Sequence, residues 1–151
     1  KLIIEKLKVC IKENRRILIL SDRREHLKIL KKEIELLNIC SSGFYLGGLK
    51  HEELKETEKK DVMLGTFSMA SEGFDCKELD TIILGSPKSN IEQAVGRILR
   101  KKKEEREIIP LIIDIIDDFN IFSRQGIKRH KFYKKNKYII TEKIINLKLL
   151  I

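Results

Sequence analysis

Five short apolar segments recur along this chain, and each leads into polar or glycine turn residues. They are Ile17–Leu20, Phe44–Leu46, Val62–Leu64, Thr81–Leu84 and Leu111–Ile116, the last with Pro110 at its edge. Runs this short, with no polar residue on alternate positions, fit strands covered on both faces, as in parallel sheets. Helical periodicity fills the intervals. Residues 2–13 place Ile3, Leu7, Cys10 and Ile11 on one side, and Leu27, Leu30, Ile34 and Leu37 mark a second helix to about Asn38. Ser21 and Asp22 before that helix are good N-cap residues. A charged helix is expected over His51–Lys60, a short one over Ser68–Glu72, and another around Gln93. Residues after Asp118 read as helical, then extended at Tyr138–Ile140, then helical to Ile151. Strands alternating with helices predict an α/β domain with a mostly parallel central sheet. With 151 residues, no repeat and no long linker, the whole of 1–151 reads as one domain, and 119–151 as its basic C-terminal extension.

In such a sheet, ligands bind beyond the carboxyl ends of the strands. Ser21, Gly47, Gly48, Thr66 and Ser86 each follow an apolar run and fall there.

The densest chemical signal is Gln93-Ala94-Val95-Gly96-Arg97-Ile98-Leu99-Arg100. On a helix Gln93, Arg97 and Arg100 stand at i, i+4 and i+7 and share a face. Ile91, Val95 and Ile98 repeat that spacing on another face, which is free to bury. The outcome is one amide and two guanidiniums in a row on a hydrophobic anchor. A guanidinium is always charged, planar and matched to phosphate oxygens.

Charge points the same way. Lys and Arg number 32 against 23 Asp and Glu, a formal net charge of +9, which favours nucleic acid or nucleotides. Arg124–Lys137 carries seven basic residues and no acid, with Phe132 and Tyr133 interleaved. It reads equally as a solvated helix face and as a phosphate-contact surface with stacking aromatics. Cys10, Cys40 and Cys76 are isolated, so neither a disulfide scaffold nor a zinc site is supported; buried thiols in an intracellular, reducing, cytoplasmic setting are expected. His26, His51 and His130 share no metal spacing and are expected to face solvent. No apolar run approaches the ~18 residues that span a bilayer, so no membrane partner is expected. The first residue is Lys1 rather than Met, which suggests a piece of a longer chain.

A second segment, GTFSMASEGFD at Gly65–Asp75, joins a strand end to a turn of small residues. Thr66 and Ser68 are placed to donate to phosphate oxygens, Gly73 to permit close approach, and Asp75 to accept from a sugar hydroxyl. Alone, it reads as readily as a capped helix and a turn.

Taken in order, ILILS with Asp22-Arg23-Arg24, then Tyr45-Leu46-Gly47-Gly48, then Thr66–Asp75, then QAVGRILR, the chain resembles the C-terminal RecA-like domain of superfamily 2 helicases. The resemblance covers at least residues 15–118. QAVGRILR matches that family's final motif, Q-x-x-G-R-x-x-R, at every defined position, and SEGFD resembles the motif before it. The wording GTFSMASEGFD and the tail IIDIIDDFNIF…KRHKFYKK are similar to the branch found in large DNA viruses and phages. The resemblance implies that Arg97 and Arg100 are arginine fingers for ATP held with Mg²⁺ mainly by a preceding RecA-like domain. It implies that Gln93 orients near the phosphates or the attacking water, that Gly73 and Asp75 line the nucleotide cleft, and that Ser21, Arg23, Gly47, Gly48, Thr66 and Ser68 lie along the nucleic-acid track. In many relatives the threonine stands six residues before the glycine. Here Thr66 stands seven before Gly73, so Thr66 and Ser68 both remain candidates for the phosphate contact.

ATP hydrolysis needs a phosphate-binding loop, G-x-x-x-x-G-K-[ST]. The nearest likeness, GFYLGGLK at Gly43–Lys50, has Leu49 where lysine is required. This chain therefore carries half of a nucleotide site and is not expected to hydrolyse ATP alone. DNA and RNA are not separated by the sequence. Two other readings stand beside the helicase. One is a non-catalytic nucleic-acid-binding module using Lys128, Arg129 and Lys131. The other, well below it, is a metal-dependent nuclease using Asp114, Asp117 and Asp118.

Overall fold

The computed structural model describes residues 1–72, 76–98, 103–117 and 120–145. In chain order the elements are α1 (Leu2–Lys12), β1 (Ile17–Leu20), α2 (Arg24–Leu36), β2 (Ser42–Tyr45), α3 (His51–Glu58), β3 (Val62–Gly65), α4 (Phe67–Ser71), β4 (Thr81–Leu84), α5 (Glu92–Ile98), a 3₁₀ turn at Lys103–Glu105, β5 (Leu111–Asp114) and α6 (Asn120–Lys135). The five strands form one sheet in the order β2-β3-β1-β4-β5, with every pairing parallel. The expected α/β fold with a parallel sheet is the one observed.

The apolar runs are strands because both faces of the sheet are covered. In β1, Leu18 and Leu20 pack with Phe67 and Ala70 of α4, Ala94 and Val95 of α5, and Tyr133 of α6. Ile17 and Ile19 point the other way, onto Ile4, Leu7 and Cys10 of α1 and Leu27, Leu30 and Ile34 of α2. No residue of β1 is more than 1% exposed. Full burial of each such side chain contributes about 1.5–3 kcal/mol, so the central strand anchors both layers at once.

Several expected boundaries move. Helix α2 begins at Arg24 with Arg23 as its N-cap, so neither Ser21 nor Asp22 caps it. Ser21 instead accepts a hydrogen bond from the Arg23 backbone N–H at 3.2 Å and shapes the turn before the helix. Strand β5 stops at Asp114 rather than Ile116: the last rung it shares with its neighbour β4 is the pair Leu84 and Asp114. Residues 138–145 form neither strand nor helix. Helix α6 ends at Lys135 and is closed off by Lys137, whose φ of 57° is left-handed, with the Tyr138 N–H returning to the Tyr133 carbonyl at 3.0 Å. Tyr138 then folds back onto the rings of Phe132 and Tyr133. Among the described residues no helix is long and apolar enough to cross a membrane.

Candidate nucleotide and nucleic-acid edge

Because all five strands are parallel and in register, their carboxyl ends share one rim. Tyr45 and Leu20 each pair with Gly65, Leu20 pairs with Leu84, and Leu84 with Asp114. The sequence-predicted positions Ser21, Gly47, Gly48, Thr66 and Ser86 therefore follow strands that finish side by side.

Cross-links hold the loops of this rim. The Asp22 backbone N–H donates to Ser86 Oγ at 3.0 Å, and Lys88 Nζ donates to the Asp22 carboxylate at 2.9 Å, joining the β1 and β4 exits. Lys88 also lies over the Phe67 ring at 5.3 Å. Arg24 donates to the Gly47 carbonyl at 3.1 Å, joining α2 to the β2 exit. Gly48 has a φ of +91°, a backbone region that a side chain would strain. At β5, Arg129 of α6 donates to both carboxylate oxygens of Asp114 at 2.9 Å and to the Lys88 carbonyl at 2.6 Å. Tyr133 adds a hydroxyl donor to Asp114 at 2.8 Å. Burial, with the Asp114 charge next, raises the Tyr133 phenol and keeps it a donor.

The candidate side chains differ in reach. Ser21 is fully buried, with its hydroxyl 3.4 Å from His26 Nδ1, while Arg23 is exposed beside it. Thr66 is 8% exposed and caps α4, accepting from the Met69 N–H at 3.5 Å. Its hydroxyl also lies 3.2 Å from that of Ser68, which is exposed. At α5, Ala94 and Val95 and the preceding Ile91 are buried and Gln93 is exposed, as the two-faced pattern requires. Gly96 is exposed too, and a Cβ built there meets no atom within 4 Å. A mid-helix glycine costs roughly 1 kcal/mol relative to alanine, and no contact inside the described structure asks for it.

A model of the helicase conserved C-terminal domain matches residues 2–102. The chain belongs to that family. The provisionally named ATP-dependent RNA helicase of Acanthamoeba polyphaga mimivirus is 41% identical over 136 residues, covering 86% of this chain and 25% of the relative. A similarly named protein of African swine fever virus (isolate Tick/South Africa/Pretoriuskop Pr4/1996) is 31% identical over 122 residues, 80% of this chain and 22% of the relative. The chain thus spans about a quarter of the length of these curated viral relatives. Among solved structures, T4 UvsW matches with a TM-score of 0.73 over 95% of this chain and 34% of its own, at 23% identity. The C-terminal part of the Fun30 ATPase domain matches with a TM-score of 0.64 over 97% of this chain and 49% of its own, at 14% identity. Both share the RecA-like fold with this helicase C-terminal domain.

Some residues singled out by sequence lie outside the described structure: Gly73, Asp75, Arg100 and Asp118 altogether, and Arg97 and Ile98 beyond their backbone in α5. Two readings of the tail need correction. Arg129 is not a surface cation; it is 1% exposed and bound inside. Tyr133 is buried at 8% and Phe132 packs against the core, so this ring pair is no open stacking platform. The nuclease reading loses Asp114, whose carboxylate is taken by Arg129 and Tyr133. Among the described residues no three His, Cys, Asp or Glu side chains form a metal-ligating group. His26 is not simply solvent-facing either: burial and then the Arg23 charge lower its pKa.

Sequence reasoning missed Arg24 and Lys88 as rim cross-links and the whole Asp114–Arg129–Tyr133 clamp. Its one trace was Asp114 interrupting an apolar run, with Arg129 and Tyr133 at i, i+4 on a later helix. A cleft of about 160 Å³ lined by Arg16, Lys77, Asp80, Arg106 and Pro110 sits at the opposite, amino-terminal end of the sheet and has no link to this rim.

Proposed function

We propose that this domain is the C-terminal motor half of an ATP-dependent helicase or translocase. In this reading a preceding RecA-like domain of the same protein holds ATP and Mg²⁺, and this domain closes over the nucleotide from the other side. Arg97 and Arg100 reach the γ-phosphoryl and stabilise its developing charge. Gln93, exposed on the same helix, orients at the phosphates, and Gly73 and Asp75 line the cleft. Arg23, Gly47, Gly48, Thr66 and Ser68 meet the nucleic-acid backbone along the rim, with Ser21 shaping the turn that presents Arg23.

The observation that carries this reading is α5. One face is buried against the sheet through Ile91, Ala94 and Val95, and the other offers Gln93 and an unexplained glycine to whatever approaches. Bound ATP supplies the hydrolysable phosphoanhydride; this chain's part is charge and position, since it has no phosphate-binding loop. The names of the two viral relatives specify RNA, so RNA is the first nucleic acid to try.

The test is nucleic-acid-stimulated ATPase of the full-length protein. Arg97→Ala and Arg100→Ala should each lower stimulated turnover by roughly a thousand-fold, the scale of an arginine finger. Unchanged turnover in both would remove the fingers and with them the motor assignment.

A further inference from the structure

Helix α6 is two-faced in charge. Gly126, Arg129 and Tyr133 are buried against the body, while Arg124, Lys128, Lys131 and Lys135 are all exposed. The spacing of these four is i, i+4, i+7 and i+11, which keeps them in one stripe about 16 Å long at 1.5 Å per residue. From the stripe and the clamp beneath it, we propose that the outer face of α6 is a binding surface for the phosphate backbone of a nucleic acid, additional to the strand-end rim.

Three observations support it. First, the helix carries six Lys or Arg and no Asp or Glu. Helices α2 and α3 are built differently: Lys28 pairs with Glu25, Lys31 with Glu35, Lys55 with Glu58 and Lys59 with Glu56. Second, among the described residues the acids paired with α6 side chains are spent outside the stripe, Asp114 on Arg129 and Glu142 on His130. None of the four stripe side chains has an ion pair with another described residue. Third, helix stability accounts for Lys135 alone among the four. Lys134 and Lys135 gain from the negative end of the helix, but Arg124, Lys128 and Lys131 lie too far from it, and neighbours at i+3 and i+4 repel. Four unpaired cations in a row on a clamped helix form an anion surface. A polyanion with closely spaced charges gains from all four at once by releasing its counterions. Phe132 and Tyr133 are turned inward, so contact along the stripe is electrostatic and tolerant of sequence.

The inference deepens the motor reading by adding a second backbone contact, and its readout does not depend on ATP. The experiment measures affinity of the full-length protein for labelled single-stranded RNA, and in parallel single-stranded DNA, from 50 to 200 mM salt. The stripe variant is Arg124→Gln, Lys128→Gln, Lys131→Gln and Lys135→Gln together. A control removes four exposed lysines elsewhere, Lys28→Gln, Lys32→Gln, Lys55→Gln and Lys59→Gln. At about 0.7 per phosphate contact, the log–log salt slope of the stripe variant should be shallower by about 3. Wild type should then lose about 50-fold more affinity than the variant over that salt range, and the control should follow wild type. Equal slopes for stripe variant and wild type overturn the proposal, and so does a control that loses as much as the stripe. Melting curves check that both variants are folded, which is the expected outcome at exposed positions. If wild type has no nucleic-acid-stimulated ATPase, the motor reading fails while the slopes still decide the stripe.

Discussion

Arg129 donates from Nε and one terminal nitrogen to the two carboxylate oxygens of Asp114, both at 2.9 Å, with side-chain exposures of 2% and 12%. This pair ties the C-terminal helix to the end of β5. Through the Lys88 carbonyl it also ties that helix to the loop that starts α5. Breaking one partner leaves a buried charge unanswered, which costs about 3–5 kcal/mol. Arg129→Ala should therefore lower unfolding free energy by that amount in urea titration. The paired replacement Arg129→Met with Asp114→Leu should recover much of the loss, because no lone charge remains. A loss under 1 kcal/mol for Arg129→Ala would mean that the clamp is not closed in solution.

Gly96 separates stability from function. Its φ is not positive and nothing crowds its Cβ, so Gly96→Ala should stabilise the helix by up to about 1 kcal/mol. If the open face of α5 meets nucleotide, the same variant should depress stimulated ATPase in the full-length protein. A variant that is more stable and equally active would show that the glycine serves no approach.

Thr66 and Ser68 can be told apart. Thr66 is an N-cap, so Thr66→Val should cost about 0.5–2 kcal/mol of stability, at the low end because the capping bond is 3.5 Å. Ser68→Ala should leave stability within about 0.5 kcal/mol and weaken nucleic-acid affinity. Thermal melting beside a binding titration reads both. The reverse pattern would move the phosphate contact to Thr66.

His26 makes stability depend on pH. Its folded pKa is depressed below the ordinary 6.5, first by burial and then by Arg23. The unfolded chain then binds the proton more readily, so stability is fully present above pH 6.5 and falls as pH drops below it. The decline ends once the folded-state pKa is passed. His26→Gln should flatten the midpoint of thermal unfolding between pH 6.5 and 5 relative to wild type. An unaltered pH profile would place the dependence on other groups.

The strands and the two-faced α5 were readable because burial on both faces of a sheet writes itself as a continuous apolar run, as in Ile17–Leu20, and burial of a helix stripe as the spacing of Ile91, Val95 and Ile98, of which Ile91 and Val95 are buried and the Ile98 side chain lies outside the described structure. The rim positions were readable for the same local reason: each lies within two residues of the end of such a run. The end of β5 was not, because Ile115 and Ile116 are as apolar as the residues before them, yet the last rung shared with β4 falls at Asp114. Charge was the least readable of all. Arg129 is one of seven basic residues in a row of like character, and no local rule separates it from Lys128.

By itself, then, the amino-acid order determined the strand–helix alternation, the parallel sheet and the face on which Gln93 stands, since those depend on neighbours a few residues away. The tertiary structure alone decided that Ser21 faces inward, that Thr66 caps while Ser68 is open, and that Arg129 turns to Asp114 and leaves four cations outside. The Thr66 cap is set within a single turn, but the burial of Ser21 and the turn of Arg129 depend on groups tens of residues apart meeting in space, and for Arg129 the cost of an unpaired buried charge selects the partner.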